Sequence, residues 1–554
     1  MGGNPVSYRR LAASAAVLAA GVALAPAPAH AAGPASGRPE PHGIAKPDQV
    51  RPQQREAAAF TSPADRSVRQ APAAGRAGAA SGDTAQNEIA VGLQAFTTSA
   101  HGIEVDAATT GTANAVSVSV DWGDGTASEG TSAGGQKLTT PHQYGKPGGY
   151  TVRVTVTDHV TQASAVNQIA VWTQGSHFTP HTPQRLLDTR NGTGGYRGKV
   201  PAYGQARLRI GGNAAIPAGV TAVVLNVTVT NTTSGGHITA YPDGGEKPTT
   251  SNVNFAPGQT VPNLVIVPVG RDGYVNLYNG GWEGVDLIAD VTGYFTKSAS
   301  SGYTPLDPQR LVDTRNGTGA PQGQIKGYGT LTKPIRGLAN ATAVALNVTV
   351  TNPRSDGHLT VFPGSGTAPA VSNLNFSAGQ TIANAVIVPV SASGEISIRN
   401  GGWNPTDVII DIVGYYSPAG PNAYVPLKPD RLLDTRDGAT WPWGPLSGRS
   451  YVYMPLADGF PHTKGFVLNT TVTNPKGPGH LAVAPDPNSL ADYDNGTEQW
   501  PPTPTSSTLN WTRGRTVPNL VQAGTGPYGI IDIWNQSDAD IDLVVDIFGL
   551  YEDN

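Results

Sequence analysis

Between Tyr150 and Asp158 apolar and polar side chains alternate without a break. Tyr150, Val152, Val154 and Val156 fall on one side, and Thr151, Arg153, Thr155 and Thr157 on the other. A period of two predicts a half-buried antiparallel strand. The same alternation covers 116–121, and Gly123-Asp124-Gly125-Thr126 between the two predicts a turn. Further on, short β-rich runs cover Val223 to Thr230, Leu264 to Val269, Tyr274 to Tyr278 and Val285 to Val291. Gly, Pro and Asn punctuate these runs, and no stretch with a helical period intervenes. The chain therefore reads as all-β.

The runs after residue 176 recur. Arg185-Leu-Leu-Asp-Thr-Arg190 returns as Arg310 to Arg315 and as Arg431 to Arg436. Leu225-Asn-Val-Thr-Val-Thr-Asn231 returns at Leu346 to Asn352, and in part at Leu468 to Asn474. A Gly-His pair follows each time, at His237, His358 and His480. The closing blocks are Asp290 to Tyr294, Asp411 to Tyr415 and Asp546 to Leu550. The spacing is domain-sized, too long for a solenoid unit or a propeller blade. Each copy is expected to be a β-sandwich or jelly-roll-like module. The short connections, 296–302 and 417–422, predict three beads in a row.

Ahead of the repeat, the turn Asp121-Trp122-Gly123-Asp124-Gly125-Thr126 precedes Tyr144, Gly148 and Tyr150. Those residues resemble the PKD domain, an immunoglobulin-like β-sandwich. The resemblance implies a spacer or weak binding module without catalytic apparatus. The three later modules resemble tandem modules of secreted actinobacterial proteins, through the Arg-Leu-Leu-Asp-Thr-Arg opening and the Asp-x-x-Gly-Tyr close. That resemblance implies a setting rather than an activity. The expected fold is an N-terminal PKD-like sandwich followed by three tandem β-sandwich/jelly-roll-like modules. The expected division is a signal peptide at 1–31, a disordered linker or pro-segment at 32–85, the PKD-like domain at 86–173, and modules at 176–297, 301–418 and 422–554.

Composition narrows the function. The net charge is -4, which gives no basic excess for nucleic acid. The chain has no cysteine, so thiolate chemistry and disulfides are excluded. Arg9 and Arg10, the apolar run from Leu11 to Ala25 and Ala29-His30-Ala31 predict a secretory signal cleaved before Ala32. The paired arginines leave both the Sec and the twin-arginine routes open. No later run is long and apolar enough to insert in a membrane. A secreted protein, free or held non-covalently on a cell wall, is expected.

Within each module Asp188 and Arg190, Asp313 and Arg315, and Asp434 and Arg436 stand two apart. In an extended strand they share a face. They form either a polar cleft for sugar hydroxyls or a structural ion pair, and the structural role is favoured. Trp282 and Trp403 follow identical Asn-Gly-Gly turns, where an aromatic face suits a pyranose ring. Trp534 is the candidate in the third copy, which also carries Trp441, Trp443, Trp500, Trp511 and an insertion around Pro485 to Pro504.

One histidine per module makes no zinc site, so no cofactor is expected; loop carboxylates and carbonyls leave calcium open, although no clear loop motif supports it. Asp286 and Asp290, with their counterparts Asp407 and Asp411 and Asp542 and Asp546, stand too far apart along a strand for a glycosidase pair. No nucleophile elbow, His-Glu-x-x-His or phosphate loop occurs. The expectation is a multivalent, non-catalytic protein that binds polysaccharide or cell-surface glycan. A protein-binding adhesin within a secreted complex is the second reading, and a polysaccharide hydrolase the third.

Overall fold

A computed structural model describes residues 42–43, 57–62, 68–70, 89–298, 301–439 and 441–554. The expected signal peptide lies outside the described residues, as does most of the expected linker. The described parts of that linker are not structureless. Ala59–Thr61 pairs with Ala90–Thr97, Val68–Gln70 pairs with Ser164–Trp172, and His42–Gly43 lies parallel to Val452 and Tyr453.

Residues 89 to 172 form two facing sheets. One contains Ala90–Thr97, Gly102–Thr110 and Lys137–Gln143; the other contains Val116–Asp121, Ala127–Ser132, Gly149–Asp158 and Ser164–Trp172. Val152, Val154 and Val156 are fully buried while Thr151 and Arg153 are exposed, as the alternation predicts. Trp122 is buried, and its Nε1 donates to Ser128 Oγ at 2.9 Å. Tyr144 Oη donates to the Trp122 carbonyl at 3.0 Å and its ring stacks on Tyr150 at 3.7 Å.

Each later copy has eight strands in two antiparallel sheets. In the first copy one sheet runs His177–Asp188, Asp286–Thr296, Ala222–Thr230, Val261–Pro268. The other runs Gln205–Arg209, Tyr274–Asn279, Gly236–Pro242, Val253–Phe255. In chain order these are strands 1-8-3-6 and 2-7-4-5, which is a jelly roll. The second and third copies repeat the order, and in the third His42–Gly43 adds an edge strand.

The three copies are not beads in a row. Their 1-8-3-6 sheets pack together around a common axis. Every residue from Ala222 to Thr230 is buried, and likewise from Ala343 to Thr351. Alternate residues face two different cores. Val223, Leu225, Val227 and Val229 fill the first sandwich, while Ala222, Val224, Leu264 and Ile266 join a central core shared with Ala343, Ile387, Val467 and Leu520.

The contacts close in a cycle. Phe178 lies 4.2 Å from Tyr416, Tyr303 4.2 Å from Tyr551, and Tyr424 4.5 Å from Phe295, so the opening strand of each copy meets the last strand of the next. Asn226 Nδ2 donates to Ser372 O, Asn347 to Ser507 O and Asn469 to Ser251 O. The short connections permit this because the strand openings bridge one another, at Phe178 with Ser301, Tyr303 with Asn422 and Ser176 with Tyr424. The PKD-like sandwich touches the third copy, where Glu552 Oε2 accepts from Ala100 N at 2.7 Å.

Candidate ligand-binding site

The Asp-Thr-Arg triplets are strictly repeated in all three copies. The strand ends at Asp188, so Arg190 is not the next residue of an extended face. It folds back in a turn. Its Nε and Nη2 donate to the two oxygens of Asp188 at 2.9 and 2.7 Å, and its backbone N donates as well. Arg185 Nη1 reaches the same carboxylate, while its Nε donates to Asp290 at 2.8 Å. Thr189 Oγ1 donates to Asp286 Oδ1 at 2.8 Å, and accepts from Leu287 N.

Arg310, Asp313, Thr314, Arg315, Asp407 and Asp411 repeat this arrangement. Arg431, Asp434, Thr435, Arg436, Asp542 and Asp546 repeat it again. Asp188 and Asp313 are buried, with arginine hydrogen bonds holding both carboxyls below the usual range. Burial opposes ionisation of Asp434, yet Arg436 holds it low too. Burial lifts Asp290, Asp411 and Asp546 despite the arginine beside each. Asp411 also accepts from Ser507 N of the next copy at 3.2 Å. The triplet thus ties the first strand to the last and reaches the junction between copies. Arg190, Arg315 and Arg436 are the most exposed members, at 45–47% of the side chain, while Arg185, Arg310 and Arg431 are half-buried.

Trp534 does not match Trp282 and Trp403. Asn279, Asn400 and Asn535 are equivalent, since each donates from Nδ2 to three carbonyls of two adjoining turns. Trp282 and Trp403 stand three residues after that asparagine, whereas Trp534 stands one before it, inside a strand. Trp534 is buried and stacks on Tyr451 at 4.5 Å. It offers no face to a ligand. Trp441 and Trp511 are likewise core residues of the third copy.

Trp282 is 71% exposed and Trp403 79%. Each has a tyrosine partner that the sequence reading missed. Tyr203 meets Trp282 at 5.7 Å and 84°, and Tyr328 meets Trp403 at 5.3 Å and 80°. Both tyrosines are also exposed. Both occupy positive φ, +57° each, at the third position of turns closed by Gly204 N to Pro201 O and Gly329 N to Lys326 O. That conformation favours Gly or Asn, and a bulky residue there is an outlier with a cost of order 1 kcal/mol. The recurring Tyr-Gly pair ahead of a strand was the available signal.

Asn279 binds both turns of the platform. It donates to Val200 O and Pro201 O on the tyrosine side and to Glu283 O on the tryptophan side, and its Oδ1 accepts from Gly281 N. The repeated histidine supports the same turn. A Cβ on Gly280 would lie 2.3 Å from the His237 ring, and one on Gly401 2.3 Å from His358. Burial lowers the pKa of His237, His358 and His480, so these rings are neutral packing surfaces at neutral pH.

The third copy replaces the aromatic pair. Arg449, at φ +60°, occupies the tyrosine position and Asp538 the tryptophan position, and they form an ion pair at 2.8 Å. Two copies therefore present a rigid L of two aromatic rings, and one presents charge. No group of three metal-ligating side chains occurs among the described residues. No described helix is long and apolar enough to cross a membrane.

Fold and site together define a class: a multi-domain β-sandwich protein with paired aromatic platforms at its loop ends. Residues 85–172 match the PKD domain family. No curated protein matches the chain at a significant level. Among solved structures, carbohydrate-binding modules of the β-sandwich superfamily align at 14% identity over 38% of this chain and 99% of theirs, with a TM-score of 0.17. The tandem CBM22 domain of Paenibacillus barcinonensis Xyn10C aligns at 11% identity over 44% of this chain and 93% of that one, with a TM-score of 0.14. A triple jelly roll protein of an archaeal virus turret aligns at 10% identity over 68% of this chain and 90% of that one, with a TM-score of 0.15. At these scores the function of this chain has to be read from its own residues.

Proposed function

We propose that this is a secreted, non-catalytic, multivalent carbohydrate-binding protein. The ligand is an extracellular or cell-wall polysaccharide, and Tyr203 with Trp282 and Tyr328 with Trp403 are its two platforms. The observation that carries this reading is the solvent-exposed, perpendicular Tyr/Trp pair, built twice on turns that a buried asparagine holds rigid. An apolar ring face suits the C–H face of a pyranose, and a second ring at a right angle fixes the sugar's edge. Two such sites on one rigid body raise avidity for a repeating polymer without new contacts.

The carboxylates of the module do not support hydrolysis. Asp188, Asp286 and Asp290 are each buried and committed to Arg or Thr side chains. The PKD-like sandwich serves as a docked support at the edge of the third copy. Export is tested by finding Ala32 at the N-terminus of protein recovered from culture medium. Binding is tested by pull-down on cellulose, chitin, xylan, mannan and wall preparations. Retention on at least one that Trp282→Ala and Trp403→Ala together abolish supports the proposal, and retention unaffected by both overturns the platform assignment.

A further inference from the structure

The packing of the copies creates a feature that no single copy contains. On the axis, at the end where Val229 pairs with Val261 and Leu287, lies a polar cavity of about 710 Å³. That volume falls within the range of small-molecule sites, ~300–1,000 Å³. The same loop of each copy lines it. Pro257-Gly258-Gln259, Ala378-Gly379-Gln380 and Arg513-Gly514-Arg515 are equivalent, and all but Arg513 and Gly514 reach the cavity.

Asn254, Asn375 and Asn510 stand at its wall, each from the Asn-Phe or Asn-Trp end of a repeated block. The carboxamide of Asn254 accepts from Ser251 Oγ, but Asn510 Oδ1 is buried with no partner. Phe376 and Trp511 add apolar surface between the amides.

The floor is built and rigid. Two residues further along the strands that begin at Val261, Ile382 and Val517 come Asn263, Asn384 and Asn519. Asn384 Oδ1 accepts from Leu264 N, Asn519 from Ala385 N and Asn263 from Leu520 N. Their Nδ2 groups donate to Asn226, Asn347 and Asn469 of the neighbouring copies at 3.0 Å each. This cyclic amide ring closes the axis beneath the cavity.

The wall is not perfectly three-fold. Gln259 and Gln380 turn their Oε1 back to cap Ala256 N and Ser377 N at 2.8 and 2.9 Å. Arg515 replaces that glutamine in the third copy and is exposed at the rim.

We infer that this axial cavity is a second ligand site, which takes the end of a glycan chain, one per protein molecule. Carboxamides offer a donor and an acceptor side by side, which suits adjacent sugar hydroxyls, and apolar patches between them suit the ring's C–H faces. The inference rests on the carbohydrate reading and adds a separate location and stoichiometry. It also gives a reason for three copies in one chain, since the cavity exists only when all three meet.

Isothermal titration with cellohexaose, xylohexaose, laminarihexaose and chitohexaose tests it on the full secreted chain. The expected result is a binding event of one ligand per chain that survives Trp282→Ala/Trp403→Ala. It should weaken at least tenfold in Asn254→Ala/Asn375→Ala/Asn510→Ala. Asn375→Trp, which puts a bulky ring into the cavity without removing a floor contact, should abolish it, with gel filtration confirming an intact protein. Binding that is lost in the tryptophan variant and unchanged in both cavity variants overturns the axial site and leaves the platforms standing. No heat with any oligosaccharide overturns the axial site, and if polysaccharide pull-down is also negative the carbohydrate reading falls with it.

Discussion

Trp282 and Trp403 combine a large apolar surface with 71% and 79% exposure, and nothing in packing calls for that. Replacing either by Ala should change stability by only about 0.5 kcal/mol, as for surface sites generally, while polysaccharide retention drops about tenfold or more. The converse change is more informative. Arg449→Tyr with Asp538→Trp should build a third platform on the third copy and strengthen binding to polymer, because the turn and its Asn535 are already in place. A gel-shift series on soluble polysaccharide would read both effects. Removing Asn279 is different in kind. Its amide satisfies three carbonyls, so Asn279→Ala should cost roughly 2–3 kcal/mol in chemical denaturation.

Another residue-scale change concerns Asp532. The first copy has Asn276 at this place, donating to Asp243 at 2.8 Å. The third has Asp532 beside Asp486, both fully buried, and burial with that neighbour pushes Asp532 up to about 10. Its folded pKa lies above the unfolded value of ~3.9, so the folded state holds a proton that the unfolded state has lost. Stability should be highest below pH ~4 with respect to this group and fall as pH rises, by up to about 1.4 kcal/mol per unit, until about pH 10. Asp532→Asn should flatten that slope in a melting series from pH 5 to 9. The tryptophans and the Asp-Thr-Arg triplets were visible in the sequence. Trp534 misled because alignment by tryptophan ignored the asparagine that fixes the turn. Tyr203 and Tyr328 escaped notice because their partners lie almost eighty residues on.

At the scale of elements, the alternating strand 149–158 was readable because one face meets solvent and one meets the core. Ala222–Thr230 follows another rule. Its first four residues are apolar at both parities and the rest carry no charge, which suits a strand covered on both sides. That pattern was present in the sequence, but what lay over the second face was not, since the covering residues belong to other copies. The triplet had the same problem: Asp188 is understood only through Arg185 and through Asp290, 105 residues beyond Arg185. Arg185→Met should cost about 2–4 kcal/mol, because it removes the cation beside the buried Asp290 carboxylate, while Asp188 keeps Arg190. Acid should act in the opposite sense on Asp188 and Asp313. Their lowered values contribute stability above the unfolded pKa, and it is lost as pH falls through their folded values.

Across the whole molecule, the three jelly rolls behave as a trimer joined into one chain. Each 1-8-3-6 sheet covers the apolar outer face of its neighbours, and the amide ring and aromatic contacts repeat cyclically. A single copy, residues 301–418, would expose Ala343, Ala345, Ala385 and Ile387 to water. It should therefore self-associate, and light scattering should show trimers or larger species rather than a monomer. The repeat was plain in the sequence and suggested separate beads. Short connections suit that picture equally well, and only the register of the opening strands distinguishes a string from a ring.

The central claim is that exposed aromatic pairs bind polysaccharide. Its most direct measurement is co-sedimentation of the secreted protein with insoluble polysaccharides, alongside the Trp282→Ala/Trp403→Ala variant. The account predicts saturable retention of the native protein on at least one polymer, a strong loss in the variant, and no soluble sugar released. Equal retention of both proteins, or sugar release from the bound polymer, would contradict it.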